Sequence, residues 1–215
     1  MTDTFLFDLD GTLVDTAPDL HDALNFALST VKLGPVDIAL TRHWVGHGAK
    51  KMISSALEQH NERSSTNDLV EKLYEDFLVY YRRHIAILSK PFTGVRLTVQ
   101  HMSRQRYKLG VVTNKRYDLS TLLLKKLDLF SYFGVVVGGD TLSVAKPNPD
   151  PILHACSALD TRPTNVVFVG DSTTDVSCAR AAGCPVVLVP YGYNQGVSVS
   201  TLGADRTIES LVDLI

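Results

Sequence analysis

Apolar positions along the chain follow two patterns. Short, nearly continuous runs rich in β-branched and aromatic residues occur at 5–8 (FLFD), 109–114 (LGVVTN), 134–140 (GVVVGGD), 165–171 (NVVFVGD) and 184–190 (CPVVLVP). Runs of this kind belong to strands buried on both faces, as in a parallel sheet covered by helices. Segments of helical period separate them at 95–107, 117–127, 150–159 and 173–182, with a further helix expected at 208–215. Alternating strand and helix predicts an α/β fold with a doubly wound parallel sheet.

The interval from about residue 17 to 89 breaks that alternation. Its apolar positions recur at helical spacing: Leu20, Leu24, Ala27, Leu28 and Val31, then Met52, Ile53, Ala56 and Leu57, then Leu69, Leu73, Phe77 and Tyr80. Three or four amphipathic helices account for them, with the polar stretch NERSSTND (61–68) as a loop. Lys90-Pro91-Phe92-Thr93-Gly94 punctuates the return to the sheet. The expected organisation is a catalytic core of residues 1–15 and 90–215 with a helical cap of 16–89 inserted after the first strand.

The 215 residues, 45% hydrophobic, suffice for a substantial core plus an insertion. With 21 basic against 23 acidic residues and a net charge of -2, the chain lacks the basic footprint of a nucleic-acid partner. No apolar run approaches a membrane span, and MTDTFLF lacks the features of a signal peptide, so a cytoplasmic protein is expected. Cys156, Cys178 and Cys184 form no CxxC pair and leave an odd thiol; they are read as packing residues in a reduced compartment. The amphipathic cap helices are compatible with a monomer or a homodimer.

In open α/β sheets, ligands bind beyond the carboxyl ends of the strands. Those ends carry Asp8 and Asp10, then Thr113 and Asn114, then Asp140 and Lys146, then Gly170, Asp171 and Asp175. Singly, such an aspartate is often only a turn former or helix cap, and Lys146 before Pro147 reads as a loop lysine. Together, carboxylates, a hydroxyl and an ammonium on one edge suit a phosphate and a divalent cation. Mg²⁺ binds through one or two carboxylates plus phosphate oxygens; Asp8 and Asp171 are the candidates. With the phosphate's charge screened, Asp8 can attack phosphorus as nucleophile. Asp10 can protonate the departing oxygen and then deprotonate the attacking water. Thr113, Lys146 and the main-chain amides of the Asp8–Asp10 turn can stabilise the transferred phosphoryl group.

FDLDGTLVDT, VVTNK, the lysine of AKPNPDP and GDSTTD resemble, in order, the four motifs of the haloacid dehalogenase-like hydrolase superfamily. The resemblance spans Asp8 to about Asn194 and implies a Rossmann-like core. It makes Asp8 the nucleophile, Asp10 the acid/base, Thr113 and Lys146 the phosphate ligands and Asp171 a Mg²⁺ ligand. The metal would also take the main-chain carbonyl of Asp10, and Asp175 would bind it through water or orient Lys146. An acidic residue at Asp10 argues against a dehalogenase, and Thr12 favours hydrolysis over mutase chemistry. The cap position, HWVGHGA (43–49), PFTGV (91–95) and VPYGYNQG (189–196) resemble the phosphoglycolate phosphatases within the superfamily.

Two positions depart from that pattern: His47 stands in place of a small polar amide, and Thr93 in place of a common proline. Gly46, His47 and Gly48 suit a cap loop presented to the site or a plain connecting turn; His43 and His47 lack a third ligand for a transition metal. Arg42 and Lys50 flank that loop and suit a substrate carboxylate. The expected substrate-binding set is thus Thr113, Asn114, Lys146, Arg42, His47 and Gly48, and Tyr191, Tyr193 and Asn194 suit the pocket rim. The expected activity is hydrolysis of a small phosphomonoester, 2-phosphoglycolate first. The alternatives are another phosphate such as a sugar phosphate or pyrophosphate, a phosphohexomutase, or a receiver-like phospho-accepting module. An inserted cap of about 70 residues argues against the last, because a lid implies water exclusion and small-substrate selection.

Overall fold

The computed structural model describes residues 2–62, 66–194 and 196–215. Among these residues there are eight strands: β1 (Thr4–Phe7), β2 (Val14–Asp15), β3 (Lys90–Pro91), β4 (Lys108–Val112), β5 (Val135–Val137), β6 (Val166–Gly170), β7 (Val186–Leu188) and β8 (Arg206–Thr207). Eight α-helices accompany them: α1 (Ala17–Thr30), α2 (Ile38–Trp44), α3 (Ala49–Gln59), α4 (Asn67–His84), α5 (Val95–Arg104), α6 (Tyr117–Lys126), α7 (Asp150–Ala158) and α8 (Thr173–Ala182).

Six strands form one parallel sheet in the order β5-β4-β1-β6-β7-β8. The chain runs outward from β1 to β4 and β5, then returns to the other side of β1 as β6. Strand order therefore reverses between β1 and β6, and the crevice beyond that reversal is where such sheets bind ligands. Phe7 pairs with Val111 on one side and Val169 on the other, so Asp8 emerges at the centre of the sheet.

Alternation along β1 sends Phe5 and Phe7 into an apolar cluster with Val95, Val99 and Met102 of α5 and Leu119 and Leu123 of α6. Leu6 faces the opposite cluster, with Ile152 and Ala155 of α7 and Val176 and Ala179 of α8. Helices thus cover both faces, which is why the strands read as continuous apolar runs.

Among the described residues the insertion contains four helices, α1 to α4. Buried Leu20, Leu24 and Leu28 of α1 share one cluster with Leu73, Phe77 and Tyr81 of α4. Its two crossings, β2 and β3, pair antiparallel through Val14–Pro91 and Asp15–Lys90. Thr66 caps α4 by accepting from Leu69 N; residues 63–65 of the expected 61–68 loop lie outside the described residues, as does Gln195 in the 189–196 stretch.

The C-terminal segment differs from expectation. The helix expected at 208–215 is a single 3-10 turn, Leu211–Leu214, after the two-residue strand β8. Ser210 caps that turn and Asp213 closes the capping box, so helical geometry starts at Leu211 rather than at 208. No helix among the described residues is long and apolar enough to cross a membrane.

Candidate active site

Three carboxylates converge at the reversal: Asp8, Asp171 and Asp175 each offer an oxygen within 4.8 Å of the others. Asp8 follows β1 directly and Asp171 follows β6. Asp175 is set by α8: Ser172 caps the helix, and the Asp175 side chain closes the capping box. Asp175 Oδ2 accepts from Asp171 N at 3.1 Å, Ser172 N at 3.0 Å and Ser172 Oγ at 2.7 Å. Its Oδ1 accepts from Lys146 Nζ at 2.6 Å. The same ammonium stands 2.9 Å from Asp8 Oδ1, close enough for an ion pair but outside hydrogen-bond geometry.

Asp171 is fully engaged from behind. Thr12 Oγ1 donates to its Oδ1 at 2.7 Å, and Tyr193 N donates to its Oδ2 at 2.6 Å. Asp10 pairs with Lys115, whose Nζ lies 3.0 Å and 3.3 Å from the two carboxylate oxygens. Thr113 is buried and its hydroxyl accepts from Lys115 N at 3.2 Å. Asn114 donates from Nδ2 to Gly46 O in the cap loop at 3.0 Å and to Lys146 O at 3.1 Å.

Burial pushes the Asp8 carboxyl up to about 6, opposed by Lys146 and reinforced by Asp175. Burial, then Asp175 and Asp8, raise Asp171 well above the ordinary carboxylate range. Burial alone would lower Lys146, but Asp175 and Asp8 outweigh it and hold the ammonium above the usual lysine value. Four buried carboxylates, of Asp8, Asp10, Asp171 and Asp175, thus face two buried ammoniums, of Lys115 and Lys146. That excess of negative charge and the hard oxygen donors, with Asp8 Oδ1 met among the described residues only by the Lys146 ammonium, fit a divalent cation.

A cavity of about 250 Å³ opens between core and cap, lined on the core side by Asp8, Asp10, Thr113, Asn114 and Lys115. Trp44, Gly46, His47, Gly48, Tyr74, Phe77 and Tyr81 form its cap wall. Pockets for drug-sized ligands start at roughly 300 Å³, so this one suits a small substrate.

The structure brings Asp8, Asp10, Thr113, Asn114, Lys146, Asp171 and Asp175 to one edge and sets His47 and Gly48 across the cavity from them. Arg42 does not line that cavity; its guanidinium pairs with Asp15 Oδ2 at 3.0 Å. Asp140 lines it, with one oxygen accepting from Tyr117 N at 2.7 Å. Sequence reasoning missed Lys115, Tyr81 and Ser172 as site residues, and missed the hydrogen bonds of Thr12 and Tyr193 to Asp171. The one available signal was that Lys115 directly follows the Thr113-Asn114 pair.

A family model described as haloacid dehalogenase-like hydrolase matches residues 5–189. The chain belongs to that family. A curated phosphoglycolate phosphatase of Chromobacterium violaceum is 38% identical over 208 residues, covering 97% of this chain and 92% of that protein. Another, of Nitrosococcus oceani, is 36% identical over 209 residues, covering 97% and 93%. The crystal structure of a predicted phosphoglycolate phosphatase from Haemophilus somnus is similar with a TM-score of 0.93 and 30% identity, over 99% of this chain and 96% of that one. Within its family the protein is a phosphatase, similar to the phosphoglycolate phosphatases.

Proposed function

We propose that this phosphatase hydrolyses 2-phosphoglycolate to glycolate and inorganic phosphate in the cytosol, with Mg²⁺ and through an aspartyl-phosphate on Asp8. The observation that carries the reading is the placement of Asp8 and Asp10, two residues apart, beneath a small cavity between core and cap. Residues 1–15 and 90–215 act as the catalytic core and residues 16–89 as the lid.

Asp8, Asp171 and the main-chain carbonyl of Asp10 would hold Mg²⁺, with Asp175 engaged chiefly in orienting Lys146. Bound there, the cation supplies the positive charge that lets an anionic nucleophile approach a phosphate. An Asp8 carboxylate oxygen attacks phosphorus as the ester P–O bond breaks, and Asp10 gives its proton to the departing glycolate oxygen. Water then attacks the phosphorus, passing a proton to Asp10, and the bond to Asp8 breaks to free phosphate and restore the carboxylate. Lys146 and the Thr113 hydroxyl stabilise the phosphoryl oxygens. Lys115 holds both oxygens of Asp10 and so fixes the direction from which the proton moves.

The deciding experiment is phosphate release from a panel of small phosphomonoesters with Mg²⁺, for the wild type and Asp8→Asn. The expected result is a preference for 2-phosphoglycolate in the wild type and a loss of more than about 10³-fold in the variant. Turnover retained by Asp8→Asn removes the nucleophile. Preference for a sugar phosphate or pyrophosphate keeps the mechanism and replaces the substrate.

A further inference from the structure

Lys146 lies in residues 138–149, a connection between β5 and α7 that contains neither strand nor helix. Such a segment has no ladder to fix it, so its main-chain groups must find partners one at a time. The charged end of Lys146 meets Asp175 Oδ1 at 2.6 Å and Asp8 Oδ1 at 2.9 Å. Its main chain is held separately. Asn114 Nδ2 donates to Lys146 O at 3.1 Å, Asn148 N donates to Ala145 O at 3.0 Å, and the Cys178 thiol donates to Asn148 O at 3.0 Å. Cys178 stands on α8 three residues after Asp175, so the two side chains share one face of that helix. Its sulfur also accepts from Ile152 N in the first turn of α7, an amide with no acceptor inside its own helix. Cys178 is completely buried, and burial pushes its thiol up to about 12 against the opposing effect of Lys146. The sulfur therefore keeps its proton, and remains a donor, throughout the neutral range.

We infer that Cys178 is a positioning residue for Lys146: α8 holds the ammonium through Asp175 and the main chain two residues further on through the Cys178 thiol. An ammonium has three N–H donors; Asp175 takes one and Asp8 faces another, which leaves the third for a phosphoryl oxygen. The direction of that third donor depends on where the flexible stem leaves the main chain, and so on the segment the thiol anchors. Because Asp175 and Cys178 sit on one helix, the two anchoring points keep a fixed separation. Without the S–H and the sulfur lone pairs, Asn148 O and Ile152 N lose these partners and the segment shifts to recover others. The sequence reads Cys178 only as packing, and it does pack against Ile152 and Phe168; its hydrogen bonds give it the second task. The inference rests on the reading of Lys146 as a phosphate ligand and adds the residue that places it.

The test measures kcat/KM on the ester that the wild type prefers in the panel above, and Ki for inorganic phosphate as a competitive inhibitor, all with Mg²⁺. The proteins are the wild type, Cys178→Ser, Cys178→Val, Cys178→Ala and Lys146→Met. Serine keeps a donor and acceptor but loses apolar character; valine keeps the apolar bulk and loses both. Expected are a Cys178→Ser enzyme within about threefold of wild type, and a fall of about tenfold in kcat/KM with a similar rise in phosphate Ki for Cys178→Val and Cys178→Ala. Thermal melts should rank the variants differently, with Tm following apolar bulk while turnover follows the donor. A role in packing alone gives the reverse order, with Cys178→Val near wild type and Cys178→Ser impaired, and overturns the inference. So does wild-type turnover in Cys178→Val or Cys178→Ala, or an equal loss in all three. Lys146→Met should lose more than about 100-fold; if it does not, Lys146 is no phosphate ligand, and the underlying reading fails independently of what the Cys178 variants do.

Discussion

The Tyr193 hydroxyl donates to Asp15 Oδ1 at 2.5 Å while the main-chain N–H of the same residue donates to Asp171 Oδ2 at 2.6 Å. One residue therefore links the candidate metal ligand to β2, the strand through which the chain enters the cap. The same phenol oxygen accepts from Ala17 N at 2.8 Å, at the start of α1. Arg42 of α2 completes the cluster on the other oxygen of Asp15, with its guanidinium 5.5 Å from the Tyr193 ring centroid.

Tyr193→Phe keeps the ring and the main-chain donor but strands the buried Ala17 N–H and one oxygen of Asp15. A loss of about 1–3 kcal/mol in unfolding free energy is expected from the unsatisfied amide. Chemical denaturation measures it, and Mg²⁺ titration of the folded variant should give affinity close to wild type because the Tyr193 N–H to Asp171 survives.

Mg²⁺ should stabilise the protein more as pH rises. Folding without metal holds Asp8 at about 6 and Asp171 well above its ordinary value. Both are raised above the unfolded value of 3.8, so folding favours their protonated forms. The Asp8 contribution to stability is complete below 3.8 and is lost as pH climbs through about 6, and that of Asp171 is lost in the same direction. A divalent cation favours the ionised forms, so metal binding competes with protons. Thermal melts with and without Mg²⁺ at several pH values from 5 to 8 should show a metal-induced rise in Tm that grows across pH 6; a rise independent of pH counts against Asp8 and Asp171 as ligands.

Gly192 passes so close to Asp171 that a Cβ there would lie 2.4 Å from Asp171 Cβ and 2.5 Å from both Asp171 Oδ2 and Gly11 O. The backbone side of this contact cannot yield, so Gly192→Ala must displace the carboxylate. Mg²⁺ affinity, followed by calorimetry, should fall about 10–100-fold, as for other disturbances of a ligand's support.

Asn114 joins the core loop to Gly46 of the cap and to the carbonyl of Lys146. Asn114→Ala removes both contacts without touching the nucleophile. Expected are a kcat/KM about tenfold lower and faster proteolysis within the cap, since less holds it over the core. Unchanged proteolysis with lowered turnover would assign Asn114 to the positioning of Lys146 instead.

Much of this protein was determined by the one-dimensional pattern. Strands buried on both faces leave continuous apolar runs, and α1 and α3 to α8 show helical period because each presents one face to a core, whereas α2 buries only Thr41 and shows no such stripe. The acidic residues at strand ends were equally visible, because a carboxylate abutting an apolar run is costly without a use. β2, β3 and β8 were not visible: each is two residues long and exists through its partner's hydrogen bonds, not through its own preference. Arg42 lies near His47 along the chain, yet ion pairing draws its guanidinium to Asp15. Tyr81 belongs to the same helical stripe as Leu73 and Phe77 and reads only as core, while Lys115 reads as one more loop lysine. Their meeting beside Asp10, 105 residues from Lys115, depends on how the cap sits on the sheet. Side-chain type and period are local properties of a chain, but the partner that gives a buried donor its purpose is chosen by packing between distant segments.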